Sequence, residues 1–187
     1  MKKSNIIKDT IIFTTIILVL GFMLSGVKIL TQKRIDEIKN KSLNAAYRQV
    51  CEEYSMGVDV TEKIINRLIV SRAKLLNCKI AYNDKNEQCG YVVMNEINGY
   101  GGSITTLIGF DNDGNITGIA YPENLQETPG IGMRVMENEF IDRFIKKNKE
   151  SINDVDTLTG ATISSTAVKE SVSLAIDSVV KAMNIGE

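Results

Sequence analysis

Histidine is absent from this sequence of 187 residues. Without imidazole, the chain has no Ser-His-Asp triad, no histidine general base, no histidine-ligated metal and no haem held by histidine. Any chemistry that the protein supports must use other side chains or a cofactor that carries its own reactivity.

Cysteine is scarce as well. The three cysteines, Cys51, Cys78 and Cys89, are widely spaced and form no C-x-x-C pair. Zinc sites and iron–sulfur clusters need closely spaced thiolates, so neither has its ligand pattern here. We predict unpaired or partly buried thiols and no metal site.

The sequence also lacks an excess of charge of one sign. Its 22 basic residues balance 23 acidic residues, for a net charge of -1. The basic residues are spread along the chain without interleaved aromatics, so a nucleic-acid footprint is missing and no nucleic-acid partner is expected. The length leaves room for an anchor and about one domain.

One long uncharged run stands near the N-terminus. Residues 10–27 contain no charged side chain, and as a helix they would span about 27 Å, close to the hydrocarbon thickness of a bilayer. The run is longer than the core of a signal peptide, and no A-x-A-like cleavage site follows it. We predict a tail at 1–9 and a transmembrane anchor in lipid at 10–30.

The charges that flank this run do not decide its orientation. Lys2, Lys3 and Lys8 precede it, and five basic residues follow it between Lys28 and Lys41. The excess of positive charge therefore does not mark the N-terminus as cytoplasmic, although long domains cross membranes largely regardless of charge.

The remaining sequence predicts an α+β fold. Gln32–Glu53 has a patchy helical stripe, so we predict a helical stalk and a lead-in to the domain at 31–74. From Leu75, β-branched and apolar runs alternate with Asp, Asn and Gly clusters, which predicts several antiparallel strands. One soluble domain, an antiparallel sheet packed by helices, is expected at 75–187.

Two later segments have helical spacing. Glu137–Lys149 places its apolar residues on one face, and a final helix is predicted from about Ser164 to Met183. Both helices are expected to pack on the sheet.

Three segments rich in Gly and Thr interrupt this framework, at 99–102, 126–132 and 156–162. The first is neither a P-loop nor a dinucleotide fingerprint. In the second, Gly130 and Gly132 either let the backbone approach a ligand or belong to an ordinary surface loop. The residues alone leave both interpretations open.

The third segment crowds hydroxyls at the start of the final helix. Unpaired N–H groups and the positive end of the helix dipole suit a phosphate there. Ser and Thr are also preferred N-cap residues, so a phosphate site and simple capping both remain open on spacing alone.

This third segment resembles the flavinylation motif of the FMN-binding domain family, roughly Asp-x-x-Ser/Thr-Gly-Ala-Thr. The matching residues are Asp156, Thr159, Gly160, Ala161 and Thr162. In that family a flavin transferase moves FMN from FAD onto the last threonine through a phosphoester bond, so the resemblance implies a covalent FMN on Thr162. Thr159 stands where Ser is commoner.

The order of the N-terminal span, Gly-Tyr-Gly-Gly, a strand pair, Glu-Thr-Pro-Gly-Ile-Gly and the flavinylation motif resembles the G subunits of Rnf-type electron-transport complexes. The resemblance implies a covalent-FMN electron carrier, with no catalytic residue of its own, inside a redox-driven ion translocase that couples ferredoxin/NAD electron transfer to ion movement. It implies the other subunits and a flavin transferase as partners. It places the chain in the cytoplasmic membrane with its domain on the outer side.

The resemblance also implies contacts to the cofactor. Ser164 and Ser165 would lie beside the phosphate at the N-terminus of the final helix. Glu127 and Thr128 would line one edge of the isoalloxazine, within the loop that carries Gly130 and Gly132.

Other functions stay open at this point. One is the related C subunit of the sodium-translocating NADH:quinone oxidoreductase, and another is a free-standing anchored flavoprotein for extracellular electron transfer. A third is an anchored binding domain without a cofactor, in which Thr162 is only a helix cap.

Overall fold

The computed structural model of the chain describes residues 2–65, 71–123 and 125–184. Two compact units, Met1–Lys41 and Ser42–Glu187, make up the chain. The boundaries predicted from the sequence, after residues 9, 30 and 74, remain predictions.

The first unit consists of the longer part of helix α1, which runs over Lys2–Val50. Within it, Lys8–Lys28 is long and apolar enough to cross a membrane, with a mean hydropathy of 2.3. The hydroxyls of Thr14 and Thr15 donate to the carbonyls of Thr10 and Ile11 one turn earlier, each over 2.8 Å. These bonds give the two hydroxyls partners in an apolar setting. The predicted N-terminal apolar helix is confirmed.

The second unit is built on one antiparallel sheet of five strands in the order β1-β2-β3-β4-β5. The strands are β1 Met56–Asp59, β2 Lys74–Tyr82, β3 Gln88–Asn98, β4 Ser103–Phe110 and β5 Ile116–Ala120. Each strand pairs with the next along the chain. The predicted α+β class, with an antiparallel sheet packed by helices, is confirmed.

Helices and short helical turns connect and cover the sheet. The α-helices after α1 are α2 Thr61–Ile65, α3 Asn138–Ile141 and α4 Thr162–Met183, and 3-10 turns lie at Gly132–Met136 and Ile152–Asp154. Helix α4 matches the predicted final helix and begins two residues earlier than expected.

The helix predicted over Glu137–Lys149 is wrong beyond its first turn. Only Asn138–Ile141 is α-helical, and Lys146 adopts a positive φ of 62°. The backbone there joins the edge of β5: the Lys146 N–H donates to the Ile116 carbonyl over 2.8 Å, and the Ile116 N–H donates to the Lys147 carbonyl over 3.0 Å. This tertiary pairing replaces the helical hydrogen bonds that the apolar spacing suggested.

Helix α4 covers one face of the sheet. Its buried stripe includes Val168, Val172 and Val179, and fully burying each such side chain stabilises the fold by about 1.5–3 kcal/mol. A polar cluster sets the helix position: Thr106 Oγ1 and Ser171 Oγ lie 2.6 Å apart, and Asn95 Nδ2 donates to the Ser171 carbonyl over 2.8 Å. These bonds fix the position of α4 against β3 and β4.

The last two turns of α1 cover the opposite face of the sheet within the second unit. Val50 is 1% exposed and lies over Gly109 and Gly118. A Cβ on Gly109 would come within 2.2 Å of the Val50 carbonyl oxygen. The Thr117 hydroxyl donates to the same carbonyl. Small residues on two strands thus allow the helix end to sit directly on the sheet.

Candidate functional site

One buried carboxylate connects two of the Gly/Thr-rich segments with the first turn of α4. Glu127 is only 5% exposed. Its Oε1 accepts a hydrogen bond of 3.2 Å from the Gly101 N–H, and its Oε2 accepts one of 2.8 Å from the Ser164 hydroxyl. One side chain therefore joins the loop at 99–102 to the first turn of α4.

Glycines surround this carboxylate because nothing larger fits. A Cβ on Gly99 would lie 2.1 Å from Glu127 Oε1, and one on Gly132 would lie 2.5 Å from Oε2. A Cβ on Gly101 would lie 2.1 Å from the Gln126 carbonyl oxygen. The close approach that Gly132 permits is thus to a protein carboxylate. Gly130 is a glycine for a different reason. Its φ of +74° favours glycine, although the space around it is open.

Helix α4 begins without a side-chain cap. Its N-cap residue is Ala161, and Thr162 is the first helical residue. The Thr162 side chain is exposed, and its hydroxyl makes no hydrogen bond within the described part of the chain. The interpretation of Thr162 as a helix cap is therefore wrong: this hydroxyl is presented to solvent.

The two serines that follow have protein partners already. Ser164 is bound to Glu127, as described. The Ser165 hydroxyl donates to the Ala161 carbonyl over 2.9 Å and accepts from the Leu158 N–H over 3.0 Å. Both serines are buried. As arranged here, their hydroxyls shape the start of α4 and point away from solvent.

The first amides of α4 are available to an anion. Among the residues that the structure describes, the N–H groups of Thr162, Ile163 and Ser164 have no acceptor, and the first bonded amide is Ser165, which donates to Ala161 over 2.9 Å. These groups carry the positive end of the helix dipole. A phosphate placed at Thr162 would meet unpaired donors.

A cleft of about 540 Å³ opens beside Thr162. Its lining combines the three segments: Tyr100, Thr128, Ile131, Gly132, Gly160, Ala161, Thr162, Ile163 and Ser164. Three of these side chains are exposed and apolar in body, with 70% exposure for Tyr100, 51% for Ile131 and 54% for Ile163. The volume lies in the range of small-molecule sites, about 300–1,000 Å³. An apolar cleft next to amide donors suits a flat ring that carries a phosphate.

The structure separates the expected contact residues into two groups. Thr128, Gly160, Ala161 and Thr162 line the cleft, whereas Glu127 lies behind it with its oxygens turned to Gly101 and Ser164. Glu127 is not among the residues that line the cleft, and its expected place at an edge of the ring stays a prediction.

The remaining motif residues stand on the exposed approach to the helix. Asp156 and Thr159 are exposed, and Gly160 has a φ of +84°, which favours glycine. The Arg134 guanidinium donates to the Thr159 carbonyl over 3.3 Å and so supports this loop.

Sequence reasoning missed three residues of the cleft, Tyr100, Ile131 and Ile163. Tyr100 and Ile131 could have been found as apolar side chains inside glycine-rich loops, where solvent exposure is expected, whereas Ile163 lies in the first turn of α4. Only the tertiary structure places them around one opening.

Comparison with known proteins finds a similarity that includes this site. The FMN-binding domain family matches residues 99–177, a range that contains all three segments. The residues that line the cleft at Thr162 all lie within this matched range.

The particular relatives are G subunits of ion-translocating oxidoreductase complexes. Over 103 residues the chain is 32% identical to the G subunit of the proton-translocating ferredoxin:NAD(+) oxidoreductase complex of Clostridium ljungdahlii, covering 50% of this chain and 55% of the relative. Over 127 residues it is 31% identical to the G subunit of the Na(+)-translocating ferredoxin:NAD(+) oxidoreductase complex of Acetobacterium woodii, covering 62% and 61%. The matches thus span little more than half the length of these relatives.

A third relative comes from another organism. The G subunit of the ion-translocating oxidoreductase complex of Aliivibrio fischeri is 34% identical over 91 residues, which cover 42% of this chain and 43% of the relative. The similarity to G subunits therefore extends across several organisms.

Proposed function

We propose that this chain carries FMN as a phosphoester on Thr162 and serves as an electron carrier in a membrane-bound Rnf-type complex. The observation that carries the proposal is the exposed Thr162 hydroxyl, which has no partner in the described chain and opens onto an apolar cleft inside an FMN-binding domain. Bound FMN would supply the electron chemistry, so no acid or base of the chain is required.

The phosphate would lie at the start of α4. The amides of Thr162, Ile163 and Ser164 would be its donors, and an anion at a helix N-terminus gains about 0.3–1 kcal/mol from the dipole. The hydroxyls of Ser164 and Ser165 already bind protein partners. In this proposal the two serines therefore stabilise the turn that orients these amides and do not contact the phosphate through their hydroxyls.

The isoalloxazine would occupy the cleft. Tyr100, Ile131 and Ile163 offer apolar surface on its rim, and Thr128 and Gly132 complete the lining. Because the cleft is open to solvent, a ring held there stays accessible to a neighbouring electron carrier, while the covalent bond keeps it in place.

The exposed approach to α4 suits a modifying enzyme. Asp156, Thr159 and Gly160 are exposed on one side of Thr162, and Gly130 is exposed in the facing loop. A flavin transferase would reach the hydroxyl without unfolding the domain.

Membrane attachment and assembly complete the proposal. The apolar helix Lys8–Lys28 would anchor the chain in the cytoplasmic membrane, with the FMN-binding domain on the outer side and the other subunits of the complex as partners. The names of the relatives, one proton-translocating and one Na(+)-translocating, support an ion-translocating oxidoreductase and leave the ion open. A C subunit of the related NADH:quinone oxidoreductase, or a free-standing carrier, would differ in the subunits that co-purify.

The decisive experiment is mass spectrometry of the full-length chain produced together with a flavin transferase. We expect one FMN on the peptide that contains Thr162, and none in the Thr162→Ala variant. Thr157→Ala is the matched control, because Thr157 is also exposed in this loop but occupies a variable position of the motif. An unmodified wild type, or FMN retained by Thr162→Ala, contradicts the proposal.

A further inference from the structure

Two cysteines face each other far along the chain from the motif at Thr162. Cys51 directly follows α1, Cys89 lies on β3, and their Sγ atoms are 3.3 Å apart. Both thiols are free. The backbones that carry them are well held, since Val50 is seated on Gly109 and β3 is paired along both edges.

The pair is also accessible. Cys51 and Cys89 are half-buried and line a cleft of about 660 Å³, which is larger than the cleft at Thr162 and shares no residue with it. Cys78 provides an internal contrast, because it is 0% exposed and contacts no second thiol in the described structure. Only one pair of sulfurs is therefore both adjacent and open to a reagent.

We propose that Cys51 and Cys89 form a modification site, a dithiol that a disulfide-type oxidant converts into an intramolecular disulfide between the end of α1 and β3. The sulfurs must approach from 3.3 Å to the bond length of about 2.05 Å. We expect rotation of the two side chains to supply that approach. The proposal does not depend on the flavin.

The reaction balances as thiol–disulfide exchange. Cys89 attacks an oxidant R–S–S–R as its thiolate, a Cys89–S–S–R bond forms, and R–S⁻ leaves. Cys51 then loses its proton and attacks the Cys89 sulfur, which releases the second R–S⁻. In sum, two protein thiols are oxidised, the oxidant is reduced, and the two protons end on two R–SH molecules.

The order of these attacks follows from the environment of Cys51. Burial raises the pKa of the Cys51 thiol to about 12, and the hydrogen bond with Cys89 and the charge of Cys89 add to the rise. Cys51 is therefore protonated at neutral pH, and we assign the second attack to it. Once Cys89 is in the mixed disulfide, its contribution to that rise is lost, while the contribution of burial remains.

The disulfide would stabilise the second unit. It closes a loop that contains β1, α2 and β2 and so removes conformations from the unfolded chain. It also fixes the end of α1 covalently to the middle of the sheet. The oxidised protein should unfold at a higher temperature than the reduced protein.

The test uses the full-length chain in detergent, reduced, freed of reductant and then incubated with oxidised glutathione. We expect the wild type to lose two thiols and the mass of two hydrogen atoms, with a peptide map that links Cys51 to Cys89 and leaves Cys78 free. The apparent Tm should rise by roughly 5–10 °C and return on reduction. These readouts need no substitution.

Variants test the order of attack. Cys51→Ser should accumulate glutathione on Cys89, Cys89→Ser should leave Cys51 largely unmodified, and Cys78→Ala should still form the disulfide. A wild type that keeps both thiols, stops at glutathione adducts, or links Cys78 instead would overturn the proposal.

Discussion

The Ser164 hydroxyl donates to Glu127 Oε2 over 2.8 Å, although the two residues are 37 positions apart in the chain. The same carboxylate accepts the Gly101 N–H over 3.2 Å, so both walls of the cleft are bound to one buried side chain. Changes at Glu127 should therefore disturb the surroundings of Thr162 without touching that residue.

Truncation of Glu127 should destabilise the domain. Glu127→Ala leaves the Ser164 hydroxyl and the Gly101 amide without their acceptor in a buried site, so we expect a loss of about 2–4 kcal/mol in the free energy of unfolding. Glu127→Gln keeps the volume and one acceptor and should cost less. Denaturant unfolding measures both, with the exposed Glu150→Ala as the matched control. Equal stability of Glu127→Ala and the control would show that the carboxylate does not hold the loops.

Two glycine substitutions should separate steric clash from backbone strain. Gly99→Ala places a Cβ 2.1 Å from Glu127 Oε1, and we expect a loss of about 2–3 kcal/mol because the carboxylate must move. Gly130→Ala meets open space but keeps a positive φ, which costs about 1 kcal/mol. Thermal unfolding of both variants gives the comparison, and a larger loss for Gly130→Ala would contradict this account.

Tyr100 should shield a flavin that is bound in the cleft. With FMN on Thr162, Tyr100→Ala should raise the quenching of flavin fluorescence by iodide about twofold or more, because an apolar wall of the cleft is removed. The stoichiometry of FMN should stay at the wild-type value, since Thr162 and the motif are unchanged. Tyr100→Phe retains the ring and should behave as the wild type does. Unchanged quenching in Tyr100→Ala would place the ring outside this cleft.

We expect acid to lower the stability of the region around β1, because Asp59 becomes protonated there. Burial by itself raises the pKa of Asp59, but hydrogen bonds from Thr61 and Asn77 and the charge of Lys79 outweigh it, so the pKa is lowered. A carboxyl with a lowered pKa in the folded state stabilises the fold above about pH 4, and the contribution disappears as the pH falls through the folded value. Stability measured between pH 5 and pH 3 should fall less steeply in Asp59→Asn. An identical slope would show that Asp59 does not couple folding to protonation.

The predictable parts of the fold are those with a strong local signal. The apolar stripe of α4 recurs at helical spacing over the whole element, and its burial confirmed the period. Strand β1 was missed because it has four residues and is mostly exposed, so it carries neither the length nor the alternation of a half-buried strand. The helix predicted beyond Ile141 was wrong because the apolar residues there have helical spacing, while the backbone pairs with β5.

The candidate site divides in a similar way. The motif at 156–162 was sufficient to single out Thr162 as the residue to test. Spacing alone favoured helix capping for this threonine. The structure contradicts that interpretation, because Ala161 occupies the cap position and the Thr162 side chain is exposed. The roles of Ser164 and Ser165 could not be predicted, because their partners depend on how the loops pack.

An apolar N-terminal helix, an α+β domain with an antiparallel sheet and a threonine in a flavinylation-like motif could all be predicted, because each depends on residues that are near one another in the chain. Contacts between distant residues could not be predicted in this way. They include Glu127 with Ser164, Cys51 with Cys89, and the apolar rim of the cleft. Such contacts depend on sheet register and on the close approach of glycine-rich loops, where a single Cβ changes the distance between backbones. Local sequence patterns contain no measure of that distance.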